Sequence, residues 1–107
     1  MAEKELTKWN MTVEQLIQLK EMVLNEIESK YFDLLDTERK LKNVENHLWL
    51  ETDFKEQGLT NDKMRVAYVS NQTKSLRFDR DIAKYVLKQQ ENRLIIINDL
   101  IQYKGDP

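Results

Sequence analysis

The stretch Phe54-Lys55-Glu56-Gln57-Gly58-Leu59-Thr60-Asn61-Asp62-Lys63-Met64 decides the fold of this 107-residue chain. Gly58 can adopt the left-handed conformation that ends a helix, and Leu59 is spaced to contact Phe54, as in a Schellman motif. Thr60 is expected to cap the next helix, with Leu59 and Met64 at the positions of a hydrophobic staple. The stretch therefore predicts a turn between two helices.

The start and stop signals elsewhere in the chain predict the bounds of these helices. Thr12 and Gln15 have the spacing of a capping box, which places the start of the first helix at Val13. We predict a single domain, since the length suits one domain. Its segments are an N-terminal arm (1–12), helix one (13–57), a turn (58–60), helix two (61–103) and a tail (104–107).

The composition predicts an all-α protein. The chain has two glycines and one proline, and 34% of its residues are charged, against about 25% in an average soluble domain. So few turn-forming residues exclude a many-turned sandwich, barrel or doubly wound sheet.

Apolar residues recur along both helices at steps of three, four or seven positions, which indicates a coiled-coil seam on each. The seam residues are Leu16, Leu19, Val23, Ile27, Tyr31, Leu34, Leu41, Val44 and Leu48 in helix one, and Val69, Leu76, Ala83, Leu87, Leu94, Ile97 and Ile101 in helix two. Folding the chain back at Gly58 places Leu41 opposite Leu76 and Val23 opposite Leu94. The two seams agree on one register, which predicts a long antiparallel two-helix hairpin.

The charges favour the same pairing. Residues 1–60 carry 8 Lys/Arg against 13 Asp/Glu, and residues 61–104 carry 9 against 5. The net charges of −5 and +4 favour pairing of the two helices within one chain. The seam is interrupted where Thr37 and Glu38 come opposite Arg80. Either a polar layer fixes the register there, or the charged groups reach water over their aliphatic stems.

A second apolar flank follows the half of the hairpin nearest the termini, and it predicts self-association. Its residues are Leu24, Leu35, Phe78, Ile82, Val86, Ile96 and Leu100. A two-helix hairpin cannot cover this flank, so we expect a homodimer that forms a four-helix bundle. The alternative is that the arm, with Leu6 and Trp9, folds back over the flank.

Five large apolar residues flank the turn and form the predicted tip of the hairpin, in a half whose other flanks are polar. We call them the turn cluster: Trp49, Leu50, Phe54, Met64 and Tyr68. Because such a cluster at the end of a hairpin has little to pack on, we expect it to bind a protein partner.

The sequence offers little enzymatic chemistry, so we predict a protein that is not an enzyme, with no catalytic residue, cofactor or metal site. It contains no cysteine and one histidine. His47 has Glu51 one turn on, but two residues do not make a metal site. Two isolated glycines cannot form a phosphate-binding loop.

Helix two carries basic residues with aromatic residues between them, a composition that suits single-stranded nucleic acid. The candidates are Lys63, Arg65, Lys74, Arg77, Lys84 and Lys88. The alternative is that these cations face the acidic helix one, and we favour it because they are spread around the helix. A nucleic-acid accessory function therefore stays the second hypothesis, behind protein binding.

The chain has neither an apolar run of about 20 residues nor the apolar core of a signal peptide. We therefore expect a cytoplasmic protein with no membrane partner.

The stretch from Trp49 to Tyr68 resembles small helical proteins encoded by phages and prophages of low-GC Gram-positive bacteria. Some proteins of that kind accompany phage genes for DNA recombination or replication. The resemblance covers about twenty residues, and much of it is what any well-capped helical hairpin requires. It implies a phage-encoded accessory protein in the host cytoplasm and assigns a role to no individual residue.

Overall fold

The structure, a computed structural model, describes residues 10–105, which contain three α-helices and no strand. Helix α1 is Val13–Glu51, α2 is Asp62–Gln72 and α3 is Lys74–Gly105. The all-α class predicted from the composition is confirmed for this part of the chain. The predicted helix bounds need three corrections, described below.

Helix α1 begins with the capping box expected at Thr12 and Gln15. The Gln15 backbone N–H donates to Thr12 Oγ1 at 3.1 Å, and the Thr12 N–H donates to Gln15 Oε1 at 2.9 Å. Two backbone N–H groups that lack a partner within the helix are thereby satisfied.

The end of α1 is the first correction, because the helix stops at Glu51 and not at Gln57. Asp53 starts a separate turn: its carboxylate accepts from the Glu56 N–H at 3.1 Å, and its carbonyl accepts from the Gln57 N–H at 3.2 Å. Thr52 and Asp53 are residue types whose side chains favour helix caps over helix interiors. They interrupt the helix six residues early.

The Schellman geometry predicted at Gly58 is present, and it closes this short turn rather than α1. The Leu59 N–H donates to the Phe54 carbonyl at 2.8 Å, and the Gly58 N–H donates to the Lys55 carbonyl at 3.1 Å. Gly58 has a φ of 76°, the left-handed conformation that the motif requires.

The cap of α2 is the second correction, because Asn61 and not Thr60 is the N-cap. Asn61 has extended backbone angles, and its side-chain oxygen accepts from the Met64 N–H at 2.9 Å. Asparagine is at least as good an N-cap as threonine. The shift by one residue removes Leu59 and Met64 from the staple positions; instead the Thr60 hydroxyl lies 3.9 Å from Met64 Sδ.

The third correction is a break at Thr73, which divides the predicted helix two into α2 and α3. Thr73 has φ −102° and ψ 9°, and its hydroxyl donates to the Val69 carbonyl at 2.8 Å. The Arg77 guanidinium donates to the Ser70 carbonyl and, at 3.4 Å, to Thr73 Oγ1. These side chains bond to the backbone where the regular helix is interrupted. Helix α3 then continues to Gly105, two residues past the predicted end.

The described residues form two compact units. The terminal unit contains residues 10–31 and 85–105, and the turn unit is Phe32–Lys84. The buried residues of the terminal unit are Leu16, Val23, Ile97 and Leu100, and those of the turn unit are Leu41, Val69 and Thr73. Tyr31 and Val44, which the sequence places in the seam, are exposed.

Within the terminal unit, the end of α3 lies against the residues that precede α1. Lys104 Nζ donates to the Met11 carbonyl oxygen at 2.5 Å. The arm residues Leu6 and Trp9 and the last two residues of the tail lie outside the described residues. Between residues 10 and 105, no helix combines the length and apolarity needed to cross a membrane.

Candidate interaction surfaces

The structure brings the aromatic members of the turn cluster into contact. The ring centroids of Trp49 and Phe54 are 5.3 Å apart, and those of Phe54 and Tyr68 are 6.2 Å apart in an edge-to-face arrangement. Both separations fall in the range of favourable aromatic pairs. Phe54 therefore links the end of α1 to α2.

Arg65 also contacts the Phe54 ring. Its Cζ lies 5.6 Å from the centroid of the Phe54 ring, within the range of a cation–π contact. Its Nε also donates to the Leu59 carbonyl at 3.0 Å. The sequence predicted Arg65 as a nucleic-acid-binding residue and gave no sign of these contacts. With Asn61 as the N-cap, Arg65 occupies the position in α2 that was predicted for Met64.

Three of the five residues of the turn cluster are exposed. Leu50 is 80% exposed, and Trp49 and Met64 are also exposed, whereas Phe54 and Tyr68 are half-buried. Val66, which the sequence analysis did not include, is exposed nearby on α2. An ordered aromatic base with exposed apolar side chains around it is typical of a protein-binding surface.

The predicted self-association residues divide by burial. Leu24, Leu35, Phe78, Ile82 and Ile96 are exposed, and Val86 is half-buried. Leu100 is the exception, because it is 6% exposed and belongs to the core of the terminal unit. The exposed members lie in both units, with Leu24 and Ile96 in the terminal unit and Leu35, Phe78 and Ile82 in the turn unit.

Helix α3 carries a second heptad-spaced stripe beside its seam. We call it the outer stripe: Ile82, Val86, Gln89, Arg93, Ile96 and Leu100, at alternating steps of four and three. At about 100° per residue, its centre lies roughly 100° around the helix from the seam that contains Leu94, Ile97 and Ile101. The side of the stripe nearer the seam is the better buried, and Ile96 on the far side is 48% exposed.

At the interruption of the seam, the contacts of Arg80 favour a charged group that extends to water rather than a buried polar layer. Arg80 Nη2 pairs with the exposed Asp81 at 3.0 Å. Glu38 and Arg80, both half-buried, line an open groove of about 300 Å³ in the turn unit. The guanidinium thus reaches an exposed carboxylate over its own stem, as expected for a charged side chain that extends to water.

The candidate basic residues are not equivalent. Lys63, Lys74, Lys84 and Lys88 are exposed, whereas Arg65 and Arg77 are half-buried and donate to backbone carbonyls of their own unit. Helical geometry places Asp81 and Glu91 on the same side of α3 as Lys74, Lys84 and Lys88. This face therefore carries both signs of charge.

A larger groove, of about 610 Å³, lies beside the break in the turn unit. Lys74, Arg77, Phe78 and Asp81 contribute to its lining. Phe78 is exposed along it. The groove is open and its charged groups include both signs, so its chemistry selects no ligand class.

The described residues assemble no candidate metal centre. His47 is exposed. Between residues 10 and 105, no group of three or more histidine, aspartate or glutamate side chains is placed to hold a metal ion. Comparison of the chain with protein-family models, curated proteins and solved structures gives no match.

Proposed function

We propose that this chain is a non-enzymatic helical interaction protein that self-associates and binds a protein partner through the turn cluster. The observation that carries the proposal is the turn cluster itself, whose ring contacts hold an exposed apolar surface in place. Following the resemblance, we propose a phage-encoded protein acting in the host cytoplasm, where its partner is a phage or host protein.

The proposal includes the antiparallel hairpin, and contacts within each unit support it. In the turn unit, Phe54 contacts both Trp49 on α1 and Tyr68 on α2. In the terminal unit, Lys104 at the end of α3 bonds to Met11 just before α1. Each of these contacts is what a chain folded back at Gly58 would make.

The turn cluster supports a particular mode of binding. Leu50 is 80% exposed beside Trp49. Transfer of a leucine side chain from water into an apolar pocket contributes about 1.5 to 3 kcal/mol. Because the ring contacts of Phe54 already fix Trp49, little side-chain entropy is lost on binding. We expect Leu50 and Trp49 to enter an apolar pocket of the partner.

The test compares three forms of the full chain as immobilised baits in host lysate: the wild type, Leu50→Lys, and Met22→Lys as a control. Leu50 and Met22 are both exposed aliphatic residues on α1. We expect at least one protein to be retained by the wild type and the control and reduced at least tenfold by Leu50→Lys. That protein, purified, should bind the wild type by calorimetry and bind Leu50→Lys at least tenfold more weakly.

Two results would contradict the proposal. One is that Leu50→Lys retains every protein that the wild type retains, in the same amount. The other is that the purified candidate binds both forms equally. Circular dichroism on each bait checks that all three remain helical, so that a loss reflects the surface and not the fold.

A further inference from the structure

We propose that helix α3 is the self-association element, and that it packs antiparallel against α3 of a second copy about a two-fold axis at the level of residue 91, beside Asn92. This inference rests on the proposed self-association and adds its face and register. The outer stripe provides the contact.

The outer stripe is complementary to itself in this orientation, whereas a parallel copy in register would place Arg93 opposite Arg93 of the second copy. Its steps of four, three, four, three and four read the same in both directions, so an antiparallel copy centred on residue 91 meets it layer by layer. Val86 then faces Ile96 of the second copy, so apolar side chains meet in this layer. Ile82 comes to the level of Leu100 of the second copy, which is buried in its own terminal unit and adds little exposed surface.

The polar residues of the stripe meet each other in the same register. Gln89 faces Arg93 of the second copy, and Arg93 faces Gln89 of the second copy. The amide oxygen of Gln89 can accept from the guanidinium, which within its own helix donates to Gln90 Oε1 at 3.1 Å. A polar layer at the centre of an apolar helix contact fixes its register.

The residues beside the stripe agree with this register. Tyr85 and Asp99 lie on its outer side, and an antiparallel copy places each opposite the other, so that the phenol can donate to the carboxylate. Asn92 then faces Asn92 of the second copy at the axis. All three residues are exposed in the single chain, with Tyr85 at 64%. Polar complementarity on the flank thus selects a second copy of this chain as the occupant.

The first experiment uses two adjacent isoleucines of α3 as a matched pair. Ile96 is 48% exposed and lies in the outer stripe, whereas Ile95 is 57% exposed and points about 140° away from the centre of the stripe. Sedimentation equilibrium on the full chain should give a dimer for the wild type and for Ile95→Lys, and a monomer for Ile96→Lys. Circular dichroism should show equal helix content, since both positions are exposed.

The second experiment determines orientation, and the absence of cysteine from the sequence makes it direct. Spin labels are attached to single cysteines in Asn92→Cys, Lys88→Cys and Gln102→Cys. In the antiparallel dimer, the separation of identical labels along the helix axis grows by about 3 Å per residue from the axis. We expect the shortest distance at 92, a longer one at 88 and the longest at 102, where the axial part alone is about 30 Å.

Each other outcome overturns the inference in a recognisable way. Equal distances at the three positions would mean parallel packing. A dimer that resists Ile96→Lys would place the contact on another face, and a monomeric wild type would exclude self-association altogether. None of these results changes the Leu50→Lys comparison, so partner binding by the turn cluster is judged separately.

Discussion

The backbone N–H of Leu59 donates to the carbonyl oxygen of Phe54 at 2.8 Å, and this bond is possible because Gly58 between them has a φ of 76°. The same Phe54 contacts Trp49, Tyr68 and Arg65 through its ring. One residue thus closes the turn with its backbone and organises the turn cluster with its side chain.

Gly58→Ala should lower the free energy of unfolding by about 1 kcal/mol. A Cβ at Gly58 would meet no atom within 4 Å, so the loss comes from the left-handed backbone and not from a clash. Gly58→Asn should lose less, because asparagine tolerates this conformation better than alanine. Urea unfolding followed by circular dichroism measures all three.

Gly105→Ala is the matched control for this prediction. Gly105 also has open space around it, but its φ is not positive. We expect no loss of stability for Gly105→Ala, because Gly105 is the last residue of α3 and alanine has a higher helix propensity than glycine. Equal losses at positions 58 and 105 would contradict the assignment of the effect to backbone conformation.

The turn illustrates which parts of the fold the sequence can predict. Gly58, Leu59 and Phe54 have a spacing that only one helix-ending motif uses, and the structure contains that motif. The N-cap of α2 is harder to predict, because Thr60 and Asn61 are adjacent residues that both suit an N-cap. The choice between them depends on how the preceding turn enters the helix, which local preference does not determine.

The sequence around Thr73 contains residues that favour a helix break, but the apolar periodicity predicts a continuous helix there. Residues 70–75 read Ser-Asn-Gln-Thr-Lys-Ser, and serine, asparagine and threonine compete for backbone hydrogen bonds. The apolar spacing of Val69 and Leu76 continues across them without a change of phase, so periodicity alone predicts an unbroken helix.

Thr73→Val should lower the free energy of unfolding by about 1 kcal/mol, although the two side chains have nearly the same shape. The fully buried hydroxyl donates to Val69 and accepts from Arg77, and both interactions disappear. Thermal and urea unfolding of the variant measure the loss.

Thr37→Val provides the comparison, because the Thr37 hydroxyl also donates to a carbonyl of its own helix, that of Leu34 at 2.8 Å. Thr37 lies inside the continuous α1 and accepts no bond from an arginine among the contacts described here. We expect the smaller loss there. If Thr37→Val lowered the free energy of unfolding as much as Thr73→Val, the hydrogen bonds at the break would have no special role in stability.

Substitutions within the turn cluster should separate folding from binding. Phe54→Ala removes a half-buried ring with two aromatic contacts and one cation–π contact, so it should destabilise the fold by about 1 to 3 kcal/mol. Leu50→Ala should change stability by less than about 0.5 kcal/mol, because its side chain is 80% exposed. Chemical denaturation of the two variants measures both losses in stability. A larger loss for Leu50→Ala than for Phe54→Ala would contradict the prediction.

The candidate surfaces were predictable to the extent that exposure follows from periodicity. The sequence placed Ile96 and Leu100 together on one flank, yet the structure exposes the first and buries the second. A helical wheel places both residues on the same flank of the helix. Their burial, however, depends on how much of that flank the neighbouring helix covers. That coverage is a tertiary property, which the spacing of a single helix does not contain.

Binding to single-stranded nucleic acid should be weak and should not depend on Arg65 or Arg77, since both donate to backbone carbonyls of the turn unit. Fluorescence anisotropy with a labelled oligonucleotide, at low and at physiological salt, measures it. A Lys74→Glu, Lys84→Glu, Lys88→Glu variant is the control. Tight binding that falls steeply with salt and is lost in this variant would favour the nucleic-acid hypothesis over protein binding.

Removal of the N-terminal arm should leave the dimer intact. If the arm covered the apolar flank, as Leu6 and Trp9 allow, its removal would expose new surface and promote association of an otherwise monomeric chain. If a second copy covers the flank, the full chain and a chain that begins at Met11 should both sediment as dimers, because the outer stripe is present in both. Met11 retains the carbonyl that Lys104 binds, so this contact survives in the shorter chain. A full chain that sediments near 12.9 kDa at tens of micromolar, together with association of the shorter chain alone, would identify the arm as the cover.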